Sequence, residues 1–173
     1  MGEAARSGLE LNWHFPKDGE AAFVLSTRDR EVGWLRLDDE SGRGATGEWE
    51  GRRWRFAYEP SFHRCVTVQP EGSEECAAVL TCQPGGRGGN ATLASGTRYT
   101  WTREHFWSSV WCFRSGDTAG VCVSQRPGPM VAGGAVRVRP DTHAEDIPVL
   151  VLLGWYLRVL EFARLSGSIC LGG

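Results

Sequence analysis

Ile147-Pro148-Val149-Leu150-Val151-Leu152-Leu153-Gly154-Trp155-Tyr156-Leu157, followed at once by Arg158-Val159-Leu160-Glu161-Phe162-Ala163-Arg164-Leu165, sets the architecture of the chain. Val149 to Leu153 is an unbroken apolar run, and five consecutive positions cover every face of an α-helix. A helix that is apolar all round is either a membrane span or the centre of a protein core. The uninterrupted stretch from Ile147 to Leu157 is 11 residues, whereas a span needs about 20, and the charges of Arg158, Glu161 and Arg164 follow directly. The reading is therefore a core helix over residues 145–165, with Leu150, Leu153, Trp155, Leu157 and Leu160 as its main core side chains. Two starts fit: Thr142 with Glu145 as a capping box, or Asp146 as a direct cap with Pro148 in the first turn; Gly167 supplies the stop. Gly154, Arg158, Glu161 and Arg164 fall on one stripe, because spacings of three and four return to one side of a helix. An ion pair between Arg158 and Glu161 is expected there.

Working outward toward the N-terminus, the grammar is that of β-structure. Short segments rich in β-branched and aromatic residues recur, each closed by Gly, Pro, Asp or Ser, and they predict strands at 9–15, 21–27, 31–38, 45–50, 53–59, 63–69, 76–82, 90–95, 98–104, 108–114, 118–125 and 134–139. Trp54, Phe56 and Tyr58 alternate with Arg53, Arg55 and Ala57, and Val136 and Val138 alternate with Arg137 and Arg139. That period of two sets one apolar face against one solvated face. Gly51-Arg52-Arg53-Trp54-Arg55-Phe56 is repeated weakly by Gly96-Thr97-Arg98-Tyr99-Thr100-Trp101, with a Phe following each at 62 and 106. In physical terms, a Gly-led turn launches an aromatic strand twice around one sheet. A barrel of about eleven strands or more is wide enough to admit a helix, whereas eight strands are filled by their own side chains. The fold predicted is mainly β: one closed antiparallel barrel of about 12 strands over residues 9–166 around the C-terminal helix. Residues 1–8 are read as a flexible N-terminus and 167–173 as a tail.

Composition bounds the function. The 173 residues carry 19 basic and 21 acidic side chains, a formal charge of -2, so no global field draws the chain to nucleic acid or to an anionic membrane. The six cysteines, at 65, 76, 82, 112, 122 and 170, show no C-x-x-C and no closely spaced Cys/His pairs. They are read as reduced core thiols, with no metal and no cofactor. Residues Met1 to Gly8 lack an apolar stretch and read as no secretory signal, so the expected setting is cytoplasmic, peripheral to a membrane at most. In that setting the Asn90-Ala91-Thr92 sequon carries no meaning. The Gly-rich stretch from Gly85 to Asn90 lacks the Gly-Lys-Ser/Thr ending of a phosphate loop and reads as a linker. Cys170-Leu171-Gly172-Gly173 lacks the aliphatic residues of a prenylation box.

The many short strands, the aromatic hairpin launched at Ser95-Gly96-Thr97-Arg98-Tyr99 and the terminal Pro148–Leu165 helix together resemble the tubby C-terminal-like superfamily, in its LURP-one-related and phospholipid-scramblase-like branch. The likeness covers residues 9 to 166 and rests on pattern and order. It implies a twelve-stranded barrel threaded by the hydrophobic helix, in a superfamily whose members bind phosphoinositides or act as lipid scramblases. The chain departs from the scramblases in having no acidic calcium-binding segment before the helix, and from tubby in lacking its Lys/Arg cluster. No family site residue transfers.

Three functions are compatible with these residues. The first is recognition of an anionic lipid headgroup by the outward Arg53 and Arg55, joined by Arg137 and Arg139 if their strands lie near each other, since same-face arginines can hold a phosphate through paired donors. The second, ranked lowest, is a hydrolase-type enzyme drawing on Ser61, His63, His105, His143, Asp38 or Asp141; no G-x-S-x-G or H-E-x-x-H supports it, and the reading is non-catalytic. The third is a protein-interaction or scaffold domain working through exposed aromatics such as Trp107 and Trp111, where solvent exposure separates contact residue from core.

Overall fold

The computed structural model describes residues 8–15, 22–39, 41–59, 65–83, 88–127 and 132–166, the side chains of Cys65 and of residues 163–166 excepted. Among the described residues there are twelve strands: β1 (Leu9–His14), β2 (Ala22–Ser26), β3 (Glu31–Leu37), β4 (Gly44–Trp49), β5 (Arg52–Glu59), β6 (Cys65–Pro70), β7 (Ala78–Cys82), β8 (Gly89–Leu93), β9 (Arg98–Arg103), β10 (Val110–Ser115), β11 (Thr118–Gln125) and β12 (Gly133–Val138). One helix follows, α1 (Ile147–Ser166). Every strand start and end falls within two residues of its predicted place. Each strand pairs antiparallel with its neighbour in sequence, and β1 closes on β12, with Leu11 opposite Val136 and Trp13 opposite Gly134. The protein is thus a closed up-and-down barrel, which leaves no sheet edge to pair with another chain.

The repeated Gly-led hairpins both form, by different turns. Glu50 and Gly51 have φ of 48° and 82° between the paired Trp49 and Arg52, the two-residue turn whose twist matches its strands. Gly96, at φ 83°, instead closes a longer loop in which its N–H donates to the Leu93 carbonyl at 2.9 Å. Both launch an inward aromatic pair, Trp54 with Phe56 on β5 and Tyr99 with Trp101 on β9. Phe62 lies outside the described residues.

Helix α1 runs through the barrel, and Leu150, Leu153 and Trp155 have no exposed surface, with Leu157 and Leu160 nearly as buried. It enters at the end carrying the β8–β9 turn and leaves at the end carrying the β9–β10 turn. Trp155 stacks on Trp13 (centroids 5.5 Å apart) and meets Phe23 edge-on. The fit depends on small residues facing large ones. A Cβ on Gly134 would lie 2.6 Å from the Trp155 ring, and one on Gly47 would lie 3.3 Å from Leu152. Gly154 belongs to this set: its missing Cβ leaves room for Val123 and Phe113. Gly154 and Arg158 therefore face the β9–β11 wall, and what reads in sequence as a charged stripe is a packed seam ending at the barrel mouth.

Of the two predicted helix starts, Asp146 occupies the cap. Its carbonyl accepts the first helical bond from Leu150 N–H (3.0 Å), and Pro148 sits in the first turn, where its lack of an N–H costs nothing. Thr142 instead bonds the Gly120 carbonyl at 3.1 Å. Near the far end Tyr156 donates to the Gly42 carbonyl at 2.7 Å, fixing the β3–β4 turn to the helix.

Candidate functional site

Among the described residues the helix and the inward side chains pack the interior, and the features available for binding lie at the mouths and on the outer wall. The most conspicuous is the turn between β9 and β10. Phe106 and Trp107 are 89% and 86% exposed, and they are adjacent. The turn is ordered by its own hydrogen bonds: Ser108 N–H donates to the His105 carbonyl (3.0 Å), Val110 N–H to the Ser108 hydroxyl (3.0 Å), and Glu104 N–H to the Val110 carbonyl (2.9 Å). Arg103 reaches back to the Phe106 carbonyl at 3.4 Å, and the His105 ring lies over Trp107 with centroids 6.4 Å apart. Holding the aromatics in place before contact reduces the entropy lost on binding.

Beneath this tip the barrel mouth is closed by a compact cluster. Trp111, only 3% exposed, stacks on Trp101 with centroids 5.4 Å apart. Arg103 and Arg158 lie over the Trp111 ring at 5.2 and 5.7 Å. Glu161 pairs with Arg158 as the sequence predicts, and approaches Arg103 at 3.9 Å. Burial pushes the Arg158 guanidinium below its usual range, Glu161 opposes that shift, and Arg103 adds to it. Exposure thus separates the two tryptophans singled out in the sequence: Trp107 is a surface residue and Trp111 is core.

The four arginines proposed for an anion do not form one site. Arg53 and Arg55 are on β5 and Arg137 is on β12, with Arg139 following it, and β5 and β12 are separated by four intervening strands on the shorter way round. Arg53 is held by Glu48 at 2.8 Å, lies near Glu71 at 4.0 Å, and covers the Trp34 ring at 5.7 Å. Glu48 raises its pKa. Arg55 is exposed, opposite Thr46 and Gln69. Arg137 and Arg139 do share a surface groove of about 430 Å³, in which Glu10, Glu104 and Cys122 also take part. Arg139 lies 3.9 Å from Asp141.

That groove holds what the sequence reading missed. Cys112 and Cys122 sit directly opposite each other on β10 and β11, Cα atoms 4.1 Å apart, and form a disulfide. This corrects the expectation that these cysteines are reduced core thiols. They alternate with the inward Trp111, Phe113, Val121 and Val123, so they belong to the outer face of the wall. The separation of ten residues carries no signature until the strand register is known.

At the end where the helix enters, a second cavity of about 250 Å³ is bordered by Arg52, Glu75, Cys76, Ser95, Glu145 and Asp146 among others. Of the candidate catalytic residues, Ser61 and His63 lie outside the described residues. No hydrogen bond or ion pair joins any two of Asp38, His105, Asp141 and His143, and no group of His, Cys, Asp and Glu among the described residues has the arrangement of a metal site. No described helix is long and apolar enough to cross a membrane. Comparison with known proteins finds no matching family model, no matching curated protein and no matching solved structure.

Proposed function

We propose that the domain is a non-catalytic binding module of tubby-like architecture whose contact surface is the Phe106–Trp107 tip, and that what it grips is a protein. The exposure of these two adjacent aromatics on an ordered turn carries the reading, since large rigid aromatic side chains dominate binding energy when a partner's pocket covers them. Charge favours a protein over an anionic bilayer as the occupant. The described charges at this end of β9–β11 and α1 are Arg103, Arg126 and Arg158 against Glu104 and Glu161, and Arg158 is already paired. So slight an excess adds little at about 1 kcal/mol per basic residue near an anionic surface. The strand meander around a single helix is the layout the tubby-like resemblance implies.

The test is site-specific photocrosslinking from position 105 in the native host, followed by binding measurements with the purified crosslinked protein. The expected result is one discrete partner whose affinity falls at least about thirtyfold with Trp107→Ala, the size of a hot-spot truncation. Equal affinity for the variant, or a blue-shifted Trp107 emission on anionic vesicles with no protein crosslink, contradicts it.

A second reading, recognition of an anionic lipid headgroup, is favoured by Arg137 and Arg139 sharing one groove. It no longer involves Arg53 and Arg55. Vesicle co-sedimentation across phosphoinositide content decides it, with loss of binding expected in an Arg137→Ala, Arg139→Ala double variant.

A further inference from the structure

We propose that the Cys112–Cys122 disulfide is a reversible thiol-exchange site, opened by a low-molecular-weight thiol that enters along the Arg137 groove and attacks Cys122. Three observations carry this. First, both side chains leave the outer face of the wall, so the bond can open without disturbing the core beneath. Second, access is asymmetric: Cys112 has no exposed surface, while Cys122 is 8% exposed and borders the groove. Third, Arg137 is the cross-strand partner of Cys122 in the register of β11 and β12 and borders the same groove, which places a cation beside the sulfur under attack. Positive charge nearby stabilises thiolates and raises the local concentration of an anionic nucleophile.

The incoming thiolate forms a bond to Cys122 Sγ, the Sγ–Sγ bond breaks, and Cys112 leaves with the electron pair and takes up a proton. A second equivalent of the small thiol then displaces the first from Cys122. The products are the protein dithiol and the small-molecule disulfide; the protein gains two electrons and the two thiols lose them. The reverse sequence, driven by the small-molecule disulfide, reseals the pair.

The other charges lining the groove set the test. Glu10 faces Arg137 from β1, Glu104 lies along the groove, and Arg139 is beside Asp141. With Arg137 present an anionic thiol should be favoured, and without it the glutamates should favour a cationic one. The oxidised full-length protein is treated under native conditions with 2-mercaptoethanesulfonate or with cysteamine, and the adducts are located by peptide mass mapping. The expected result is a mixed disulfide on Cys122, formed roughly fivefold faster with the sulfonate thiol after correction for intrinsic reactivity. In Arg137→Gln that preference should vanish or reverse. A Cys112→Ser variant, whose Cys122 keeps its thiol, should take up one small thiol from the corresponding disulfide. Adducts on Cys112, opening only in denaturant, or a charge preference that Arg137→Gln leaves unchanged would each overturn the proposal.

Discussion

Tyr99 donates its phenolic proton to Asp146 across 2.8 Å, tying the start of β9 to the residue that caps the threading helix. Both groups are buried, and Ser95 gives the same carboxylate a second, longer contact at 3.4 Å. The cap side chain is thus spent on the wall, and the helix entrance is positioned by the strand that follows the second Gly-led turn. Removing the hydroxyl leaves a buried carboxylate short of a donor. Tyr99→Phe should lower the unfolding free energy by about 1–3 kcal/mol, read from urea titrations; an unchanged midpoint contradicts the assignment.

The buried tyrosines predict sensitivity to alkali. Burial raises the Tyr99 and Tyr156 hydroxyls well above the ordinary tyrosine value, with Asp146 adding to the first and Asp38 and Asp39 to the second. A folded-state pKa above the unfolded one means the native state holds the proton more tightly. The resulting stability is fully present below pH about 10, where both states are protonated, and is lost as pH rises beyond it. Denaturant midpoints should therefore fall more steeply above pH 10 in the natural protein than in a Tyr99→Phe, Tyr156→Phe double variant.

Gly154 tests the fit of helix to wall. Alanine there gains up to about 1 kcal/mol of helix propensity. Its Cβ, however, would lie 2.9 Å from Val123 Cγ2 and 3.3 Å from the Phe113 ring. Overpacking costs about 1–3 kcal/mol, so a net loss of stability is expected. Net stabilisation would show a loose seam.

At the mouth, Glu161→Gln strands a largely buried Arg158. The Arg158 side chain is 12% exposed, but Glu161 is 34% exposed, which tempers the loss to about 1–3 kcal/mol. Adding Arg158→Met should recover most of it, because the uncompensated charge is then gone. Additive losses in the double variant contradict the pairing.

Trp107→Ala and Phe106→Ala should each leave stability within about 0.5 kcal/mol of the natural protein, because neither ring is packed in the core. Thermal melts check this, and a clear loss would mean that the tip is structural.

The architecture was legible because its signals are local. Alternation such as Trp54-Arg55-Phe56 marks an inward face, and the all-round apolar run at Val149–Leu153 leaves the barrel centre as its only place. What stayed hidden depends on relations across the sheet. Trp107 and Trp111 are indistinguishable by type, and only the β9–β10 turn puts one in solvent and the other beneath two arginines. Arg53 and Arg137 read as equivalent outward cations until strand order places them on distant parts of the wall. Cys112 and Cys122 meet because Phe113 pairs with Val121 across the β10–β11 hairpin, whose register shifts at Phe113/Arg114, an irregularity that no propensity announces. Gly154 shares a helical stripe with Arg158, Glu161 and Arg164 in the sequence, whereas in the fold the β9–β11 wall packs against it.

Helix α1 is enclosed by the twelve strands, and native-state hydrogen exchange measures this enclosure directly. The amides of Leu150 to Leu160 should exchange only through global unfolding, with the same opening free energy as the slowest amides of β10 and β11 and the same denaturant dependence. Exchange of those helix amides at markedly lower free energy, while the strands remain protected, would show a helix that leaves the barrel without unfolding it and would contradict the enclosed-core architecture.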